Sequence, residues 1–349
     1  MTPPAGVRRP TLSQVAARAG VSVMTASYTY SQPGRVSAEA RSRVLAAAAE
    51  LGYPGPDPRA RSLRRGSTHT LGVILGEHLS YAFEDPQAAS FLAGIADVCA
   101  DRAYGMTILP ITGAADDGQR IRAATVDGFI LWTTSDDDPA LTTVASLGRP
   151  AVVHGGPVVD GLGLVTIDNE AAAYAVGRIT FSGARRPLVM SFPLDRARVS
   201  SVVTGPDTAY VRFPVTRDRL TGFQRAAEEH GRPWRDVVVA VCAHNAADEA
   251  ERITARLLAR ADPPDAIAAM SDELAAGVVR AIRTTHGKVP DDVAVSGWDD
   301  AAIAADLGLT TVAQSLRDQG AQCARAVLGL EPSPAPAPWT VVVRESTRR

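Results

Sequence analysis

Ten arginines and three acids share the first 67 residues of this 349-residue chain. Arg8, Arg9, Arg18, Arg35, Arg41, Arg43, Arg59, Arg61, Arg64 and Arg65 stand against Glu39, Glu50 and Asp57, a net +7 that leaves −9 on the remainder and −2 overall. A guanidinium is a planar fork of donors suited to phosphate oxygens, and a basic head on an acidic body fits a polyanion-binding module joined to a separate domain. Residues 19–34, inside that head, contain no Lys or Arg. Val23 and Met24 there offer apolar contact of the kind a thymine methyl accepts, while Thr25, Ser27 and Tyr28 offer hydroxyls to phosphates or base edges. Arginines on the flanks (Arg18, Arg35, Arg41, Arg43) for affinity and an uncharged centre for selectivity divide the two tasks of a DNA reader. The sequence holds no Gly-x-Ser-x-Gly, no phosphate-cradling Gly-x-x-x-x-Gly-Lys and no His/Cys metal spacing, so no enzyme, cofactor or metal site is expected.

The elements that must present these residues are legible. Thr11-x-x-Gln14 forms a capping box, Leu12, Val15, Ala16 and Ala19 recur at helical spacing, and Gly20 permits a left-handed stop. Ser22 caps a second helix through about Tyr30, and Pro33 and Gly34 break it. Ser37 caps a third, with Val44, Leu45, Ala48 and Leu51 as its expected inner stripe. Two short helices, a tight turn and a bracing helix describe a helix-turn-helix. Pro54, Pro56 and Pro58 then forbid a continuous helix, and "RARSLRRG" (59–66) has good helix formers but too few residues to be stable alone.

"TLSQVAARAGVSVMTAS" followed by "RVSAEARSRVLAAAAELGY" resembles the lactose-repressor (LacI/GalR) family of bacterial transcription regulators, and "RARSLRRGSTHTLGVIL" resembles that family's hinge entering its first strand. The resemblance implies DNA contacts at Thr11, Ser22, Val23, Met24, Thr25, Ser27, Tyr28 and Arg35, with Ala60, Arg61, Leu63 and Arg64 in a hinge helix. In relatives the residue matching Leu63 wedges between base steps in the minor groove. This chain departs from the common Thr-Val-Ser-Arg of the reading helix with Thr25, Ala26, Ser27 and Tyr28, and carries Ser31 where relatives usually have Asn.

From Thr70 onward about ten apolar strands alternate with amphipathic helices, the pattern of a doubly wound parallel α/β body. The resemblance implies two periplasmic-binding-protein-like lobes enclosing an effector cleft, with chain crossings near 165–170, 297–314 and 329–339. The expected organisation is a head at 1–55, a proline-rich linker and hinge at 56–69, and an effector-binding and dimerisation body at 70–349. By the same resemblance Arg219, Ser271, Asp272, Trp298, Asp299 and Gln314 touch the effector, and His154 stands at a strand end where relatives often have Asp. Cys242 falls near the position of a ligand-stacking Trp in some relatives. An Arg and an Asp on one cleft suit a sugar or related metabolite, because together they donate to and accept from hydroxyls.

No apolar run is long enough to span a membrane, and "MTPPAGVRRP" lacks a signal-peptide core, so a cytoplasmic location is expected. Cys99, Cys242 and Cys323 read as buried reduced thiols. The expected function is a sequence-specific regulator, a repressor in sense, binding double-stranded operator DNA as a homodimer under control of a small effector. A solute-binding protein of a transport system is the alternative that the body alone allows, but it leaves the basic head without a role.

Overall fold

The computed structural model describes residues 10–55, 67–76, 79–111, 113–114, 116–331 and 336–348. Ala60, Arg61, Leu63 and Arg64, on which the hinge expectation falls, lie outside them. The chain divides into two compact units, one up to Thr68 and one from His69 onward.

The first unit contains α1 (Leu12–Ala19), α2 (Val23–Ser31) and α3 (Ala38–Leu51), with a 3-10 turn at Pro33–Arg35. Thr11 receives the Gln14 amide at 3.4 Å and gives its own amide to the Gln14 side chain at 2.8 Å, completing the capping box. Gly20 ends α1 at φ +65°, where a side chain would be strained. Val15, Ala16 and Ala19 meet Ala26, Val44, Ala47 and Ala48 in a small core. The expected α3 stripe needs correction, because Leu45 and Leu51 are 44% and 36% exposed and Ala47 points inward instead. Two alanine methyls on the inner face let α1 and α3 approach closely, which the leucines would prevent.

The second unit has two lobes whose parallel strands share one order. β1 (Thr70–Leu75), β2 (Gly105–Pro110), β3 (Gly128–Trp132), β4 (Ala151–His154) and β5 (Gly163–Val165) form a parallel sheet ordered β2-β1-β3-β4-β5. β6 (Pro187–Ser191), β7 (Ser201–Thr204), β8 (Val238–Val241), β9 (Ala266–Ala269) and β10 (Ala294–Ser296) form the other, ordered β10-β9-β6-β8-β7. The order β8-β6-β9-β10 repeats β2-β1-β3-β4, while β7 is an extra antiparallel edge strand of the second lobe. β11 (Thr311–Ala313) and β12 (Thr340–Val342) pair antiparallel. The first lobe carries α4 (Tyr81–Glu84), α5 (Pro86–Asp101), α6 (Asp117–Ala123) and α7 (Pro139–Ser146). The second carries α8 (Asn169–Thr180), α9 (Pro214–Glu229), α10 (Ala247–Leu258), α11 (Asp272–Thr284) and α12 (Ala302–Leu307), and α13 (Leu316–Val327) returns to the first.

Ten strands fall on the apolar runs read from the sequence, but β7 and β12 do not, and the body is not wholly parallel. β7 is an antiparallel edge strand whose residues alternate between half-buried and exposed, so it lacks the apolar run that betrays a central strand. Three passages between lobes follow from which core each segment joins. Val165 packs in the first lobe and Ile167 in the second, Val312 in the second and Leu316 in the first, Val327 in the first and Ala337 in the second. The passage expected over 297–314 thus falls beyond Val312, since Trp298 still belongs to the second lobe's core.

Glycines set the helix spacing over the sheets. A β-carbon on Gly320 of α13 would overlap the Phe91 carbonyl of α5, and one on Gly94 of α5 would overlap the Arg317 carbonyl. Gly222 of α9 makes the same close approach to the Glu170 carbonyl of α8, and Gly277 of α11 to that of Ala247 in α10. Because the obstacle is backbone, no rotamer change relieves it. Gly320→Ala is therefore expected to lower the thermal midpoint, with an overpacking cost of about 1–3 kcal/mol, measurable by thermal or urea denaturation.

Candidate functional site

In the head, α2 presents its N-terminal turn outward. Ala26 and Thr29 are buried, whereas Val23 and Met24 are 49% and 64% exposed. Ser22 caps the helix, receiving the Thr25 amide at 3.0 Å, and its hydroxyl also meets the Thr25 hydroxyl at 2.8 Å. Tyr28 is half-buried, with the Arg35 guanidinium 6.0 Å from its ring centroid, and Ser27 is half-buried beside it. Thr11 and Ser22 thus hold helix ends, while Val23 and Met24 are the bulky side chains most open on this surface. Arg18, read as a phosphate-facing flank, pairs with Glu50 at 2.6 Å while its side chain stays 60% exposed.

In the body, both sheets turn their carboxyl ends toward one cleft, partly open to solvent. This is the crevice where strand order reverses and where ligands of open α/β sheets bind. The first lobe contributes Trp132 at the end of β3, Thr133 and Thr134 after it, His154 at the end of β4 and Gln319 in α13; the second contributes Phe192, Phe213, Arg219, Asn245 and Asp299. Gln314 lines it from the second passage. His154, Arg219, Asp299 and Gln314 of the expected effector residues therefore come together here.

Ser271, Asp272 and Trp298 stand behind the cleft wall. Ser271 caps α11 through the Leu274 amide at 3.0 Å and donates to Asn245 Oδ1 at 2.5 Å. Asp272 accepts from the Thr311 hydroxyl at 2.7 Å and the Ala301 amide at 2.8 Å, bracing the loop after β10, and burial pushes its carboxyl up to about 6. Trp298 is fully buried and lies under the Arg219 guanidinium, 3.7 Å from its ring centroid. Cys242 is also buried, its thiol against the Met190 sulfur, and all three cysteines are buried and unpaired with one another.

Arg219 is the centre of the second lobe's contribution. It is only 5% exposed, and donates to Asn169 Oδ1 at 3.0 Å and to the Met270 carbonyl at 2.6 Å. Burial pulls its guanidinium down to about 10, with Asp299 holding it up, so it stays charged at neutral pH. Burial pushes the Asp299 carboxyl well above its usual range, against the opposing pull of Arg219. From Asp299 a hydrogen-bond chain runs into the first lobe. Gln314 donates to Asp299 Oδ1 at 2.7 Å, Gln319 donates to Gln314 Oε1 at 3.1 Å, and Gln319 Oε1 meets His154 Nε2 at 2.8 Å. Burial drives His154 down to about 4, so the ring is neutral and donates from Nε2 to the glutamine oxygen.

The rim is bridged as well. Asn245 donates to Asp85 Oδ2 at 2.5 Å while Asp85 Oδ1 caps α5, Arg217 pairs with Asp136 at 2.5 Å, and Arg198 donates to the Gly76 carbonyl at 3.0 Å. Among the described residues no group of three His, Cys, Asp or Glu is placed to hold a metal, and no helix is long and apolar enough to cross a membrane.

Comparison with known proteins places both units. Residues 11–55 match the model for bacterial regulatory proteins of the lacI family, and residues 205–347 match a periplasmic binding protein-like domain. The transcriptional regulator IpsA of Corynebacterium glutamicum is 32% identical over 325 residues, covering 91% of this chain and 90% of that protein. The chain belongs to the LacI family. It is an HTH-type transcriptional regulator with a DNA-binding head and a periplasmic-binding-like body. A solved LacI-family regulator from Corynebacterium glutamicum superposes with a TM-score of 0.74 at 26% identity, over 98% of this chain and all of that one. A complex of the regulator CelR with cellobiose superposes with a TM-score of 0.65 at 26% identity, over 97% of this chain and all of that one.

The regulator's cleft includes residues that sequence reasoning missed: Thr133, Asn169, Phe192, Asn245 and Gln319. Thr133 and Phe192 directly follow the apolar runs of β3 and β6, a usable signal, whereas Gln319 sits in the first turn of α13 with nothing in sequence to mark it. Burial of His154 has a thermodynamic consequence. The unfolded chain takes up a proton near pH 6.5 and the folded one only near 4, so this contribution is full above 6.5 and is lost as pH falls toward 4, on the order of 3 kcal/mol. His154→Gln is expected to lose less stability than the unmodified regulator between pH 7 and pH 4.5, as urea midpoints at the two pH values will measure.

Proposed function

We propose that the regulator binds a near-palindromic operator as a homodimer, in repressor sense, and that a sugar or related small metabolite bound in the cleft changes its operator affinity. The observation that carries the effector reading is the buried, opposite pair of Arg219 and Asp299 on the cleft wall, a donor and an acceptor suited to hydroxyl groups. The CelR complex with cellobiose supports a ligand of that kind for a relative of the same architecture. A coupling of about 1–3 kcal/mol between effector and operator sites suffices to switch a promoter.

In this reading Val23 and Met24 touch base edges and thymine methyls, with Thr25, Ser27, Tyr28 and Arg35 around them. Thr11 and Ser22 present helix N-terminal amides to phosphates, and Ala60, Arg61, Leu63 and Arg64 engage the minor groove beside the partner's hinge. The work is done on chromosomal DNA, in the cytoplasm.

Two measurements test it. In a gel shift with genomic operator fragments, affinity should fall steeply with salt, log K against log salt having a slope of about −0.9 for each phosphate neutralised; absence of any specific fragment would refute the operator reading. Arg219→Met, which keeps the buried stem and removes the charge, should bind operator as before and no longer respond to the effector. A normal response in that variant would take Arg219 out of effector binding.

A further inference from the structure

The two lobes repeat one order of parallel strands, but the step from the first strand to the helix behind it is far longer in the second. From β1 to α5 the first lobe uses ten residues (76–85); from β6 to α9, the matching step, the second uses twenty-two (192–213). The surplus is anchored in its own lobe. Its middle is β7, paired antiparallel with β8, and the Ser200 hydroxyl just before β7 donates to the buried carboxylate of Glu249 in α10. The two arms on either side are tied together where the Arg212 amide donates to the Leu194 carbonyl at 2.7 Å.

Among the described residues the arms meet the first lobe at the loops that follow β1, β2 and β3. After β1, the Gly76 carbonyl accepts from Arg198 at 3.0 Å. After β2, Gly113 lies so near the Arg196 guanidinium that a β-carbon there would stand 2.8 Å from it. After β3, the Asp136 amide donates to the Arg212 carbonyl at 2.8 Å, and its carboxylate pairs with Arg217 in the first turn of α9. Arg198 is held at φ +49°, a conformation that a residue with a β-carbon keeps only where its surroundings enforce it, and its guanidinium stands 4.9 Å from the centroid of the Phe213 ring. Phe192, Arg198 and Phe213 carry the arms along the cleft wall. Each of these contacts joins protein to protein, so the fastening does not depend on what the cleft holds. Being polar, the contacts exchange for water at modest cost and can break without disturbing either core.

We propose that residues 192–213 form a latch, carried by the second lobe and fastened to three strand-end loops of the first, which keeps the cleft shut by itself and must be broken before any molecule enters or leaves. Closed forms with and without a bound molecule share the fastening, so the latch governs how fast the cleft exchanges its contents and leaves affinity to the residues that touch them. This goes beyond the effector reading, because it holds whatever the cleft binds.

Thr216, 2% exposed on the cleft wall, offers a probe that needs no ligand. In the full-length regulator Thr216→Cys places a thiol there, and its alkylation by iodoacetamide, followed by mass spectrometry, reads how often the cleft opens. The native Cys99, Cys242 and Cys323 are buried in the lobe cores and report general loosening in the same sample. Thr142→Cys, at an exposed position of α7, gives the rate for an open thiol. The Thr216→Cys thiol should react far more slowly than that reference. Adding Arg198→Met, which keeps the stem over Phe213 but not the donor, should speed it about tenfold, the loss of roughly one charge-assisted hydrogen bond. Asp136→Ala, which removes the ion pair with Arg217, should act in the same direction, and the native thiols should keep their rates in both. A Thr216→Cys thiol as fast as the open reference, or one whose rate neither substitution changes, overturns the latch. So does acceleration of all the thiols together, which marks lobes that unfold rather than a mouth that opens.

Discussion

The body is arranged around one costly object, a guanidinium removed from water between two lobes. Isolated, such an ion is prohibitively unfavourable in a protein interior, so every neighbour of Arg219 has to answer it. Asn169 and the Met270 carbonyl take two of its donors, the Trp298 ring lies under its face, and Asp299 balances its charge. The four partners come from three segments: the start of α8, the residue after β9 and the loop after β10. Fixing one side chain therefore fixes the relative placement of two strand ends and a helix start, and an occupied cleft inherits a preformed donor.

The matching order of the parallel strands in the two lobes makes this possible. Both sheets place a reversal of strand order at their carboxyl ends, so two crevices face one another and neither alone encloses a ligand. Helices packed through glycine against backbone carbonyls hold each lobe as a close-fitting body. Among the described residues polar contacts join the lobes, Arg217 with Asp136, Asn245 with Asp85 and Arg198 with the Gly76 carbonyl, beside the approach of Pro214 and Val215 to Gly155 and Gly156. Such bonds exchange for water at modest cost, whereas apolar cores do not. Opening at the cleft thus leaves the lobe cores intact, the arrangement that hinge closure around a ligand requires.

Legibility of the sequence followed the range of the interaction. The head was readable because a capping box, a left-handed glycine and a 3.6-residue repeat act within a few residues of chain, and only the inner stripe of α3 was misjudged, where alanine displaced leucine for the sake of helix approach. The central strands were readable as apolar runs, while β7, half solvated, was not. In the cleft, Arg219, Asp299, Gln314 and His154 were found through family resemblance. Ser271 and Asp272 carried the same kind of signal yet turned out to brace helix ends and loops, because a residue at a strand's carboxyl end can serve either the ligand or the turn.

What the sequence determined by itself was the set of elements and their classes, a basic helix-turn-helix head and an alternating α/β body, since caps, periodicity and charge are written locally. Only the tertiary structure decided which polar side chains share the cleft and in what sense they donate. Gln319 is separated from His154 by 165 residues and from Asp299 by the second passage between lobes, yet with Gln314 it links the two. The left-handed backbone of Thr133 (φ +58°) and its buried hydroxyl without a hydrogen-bond partner likewise appear only in the fold. Hydrogen-bond direction is a property of closed networks, and a network closes only when the chain has folded.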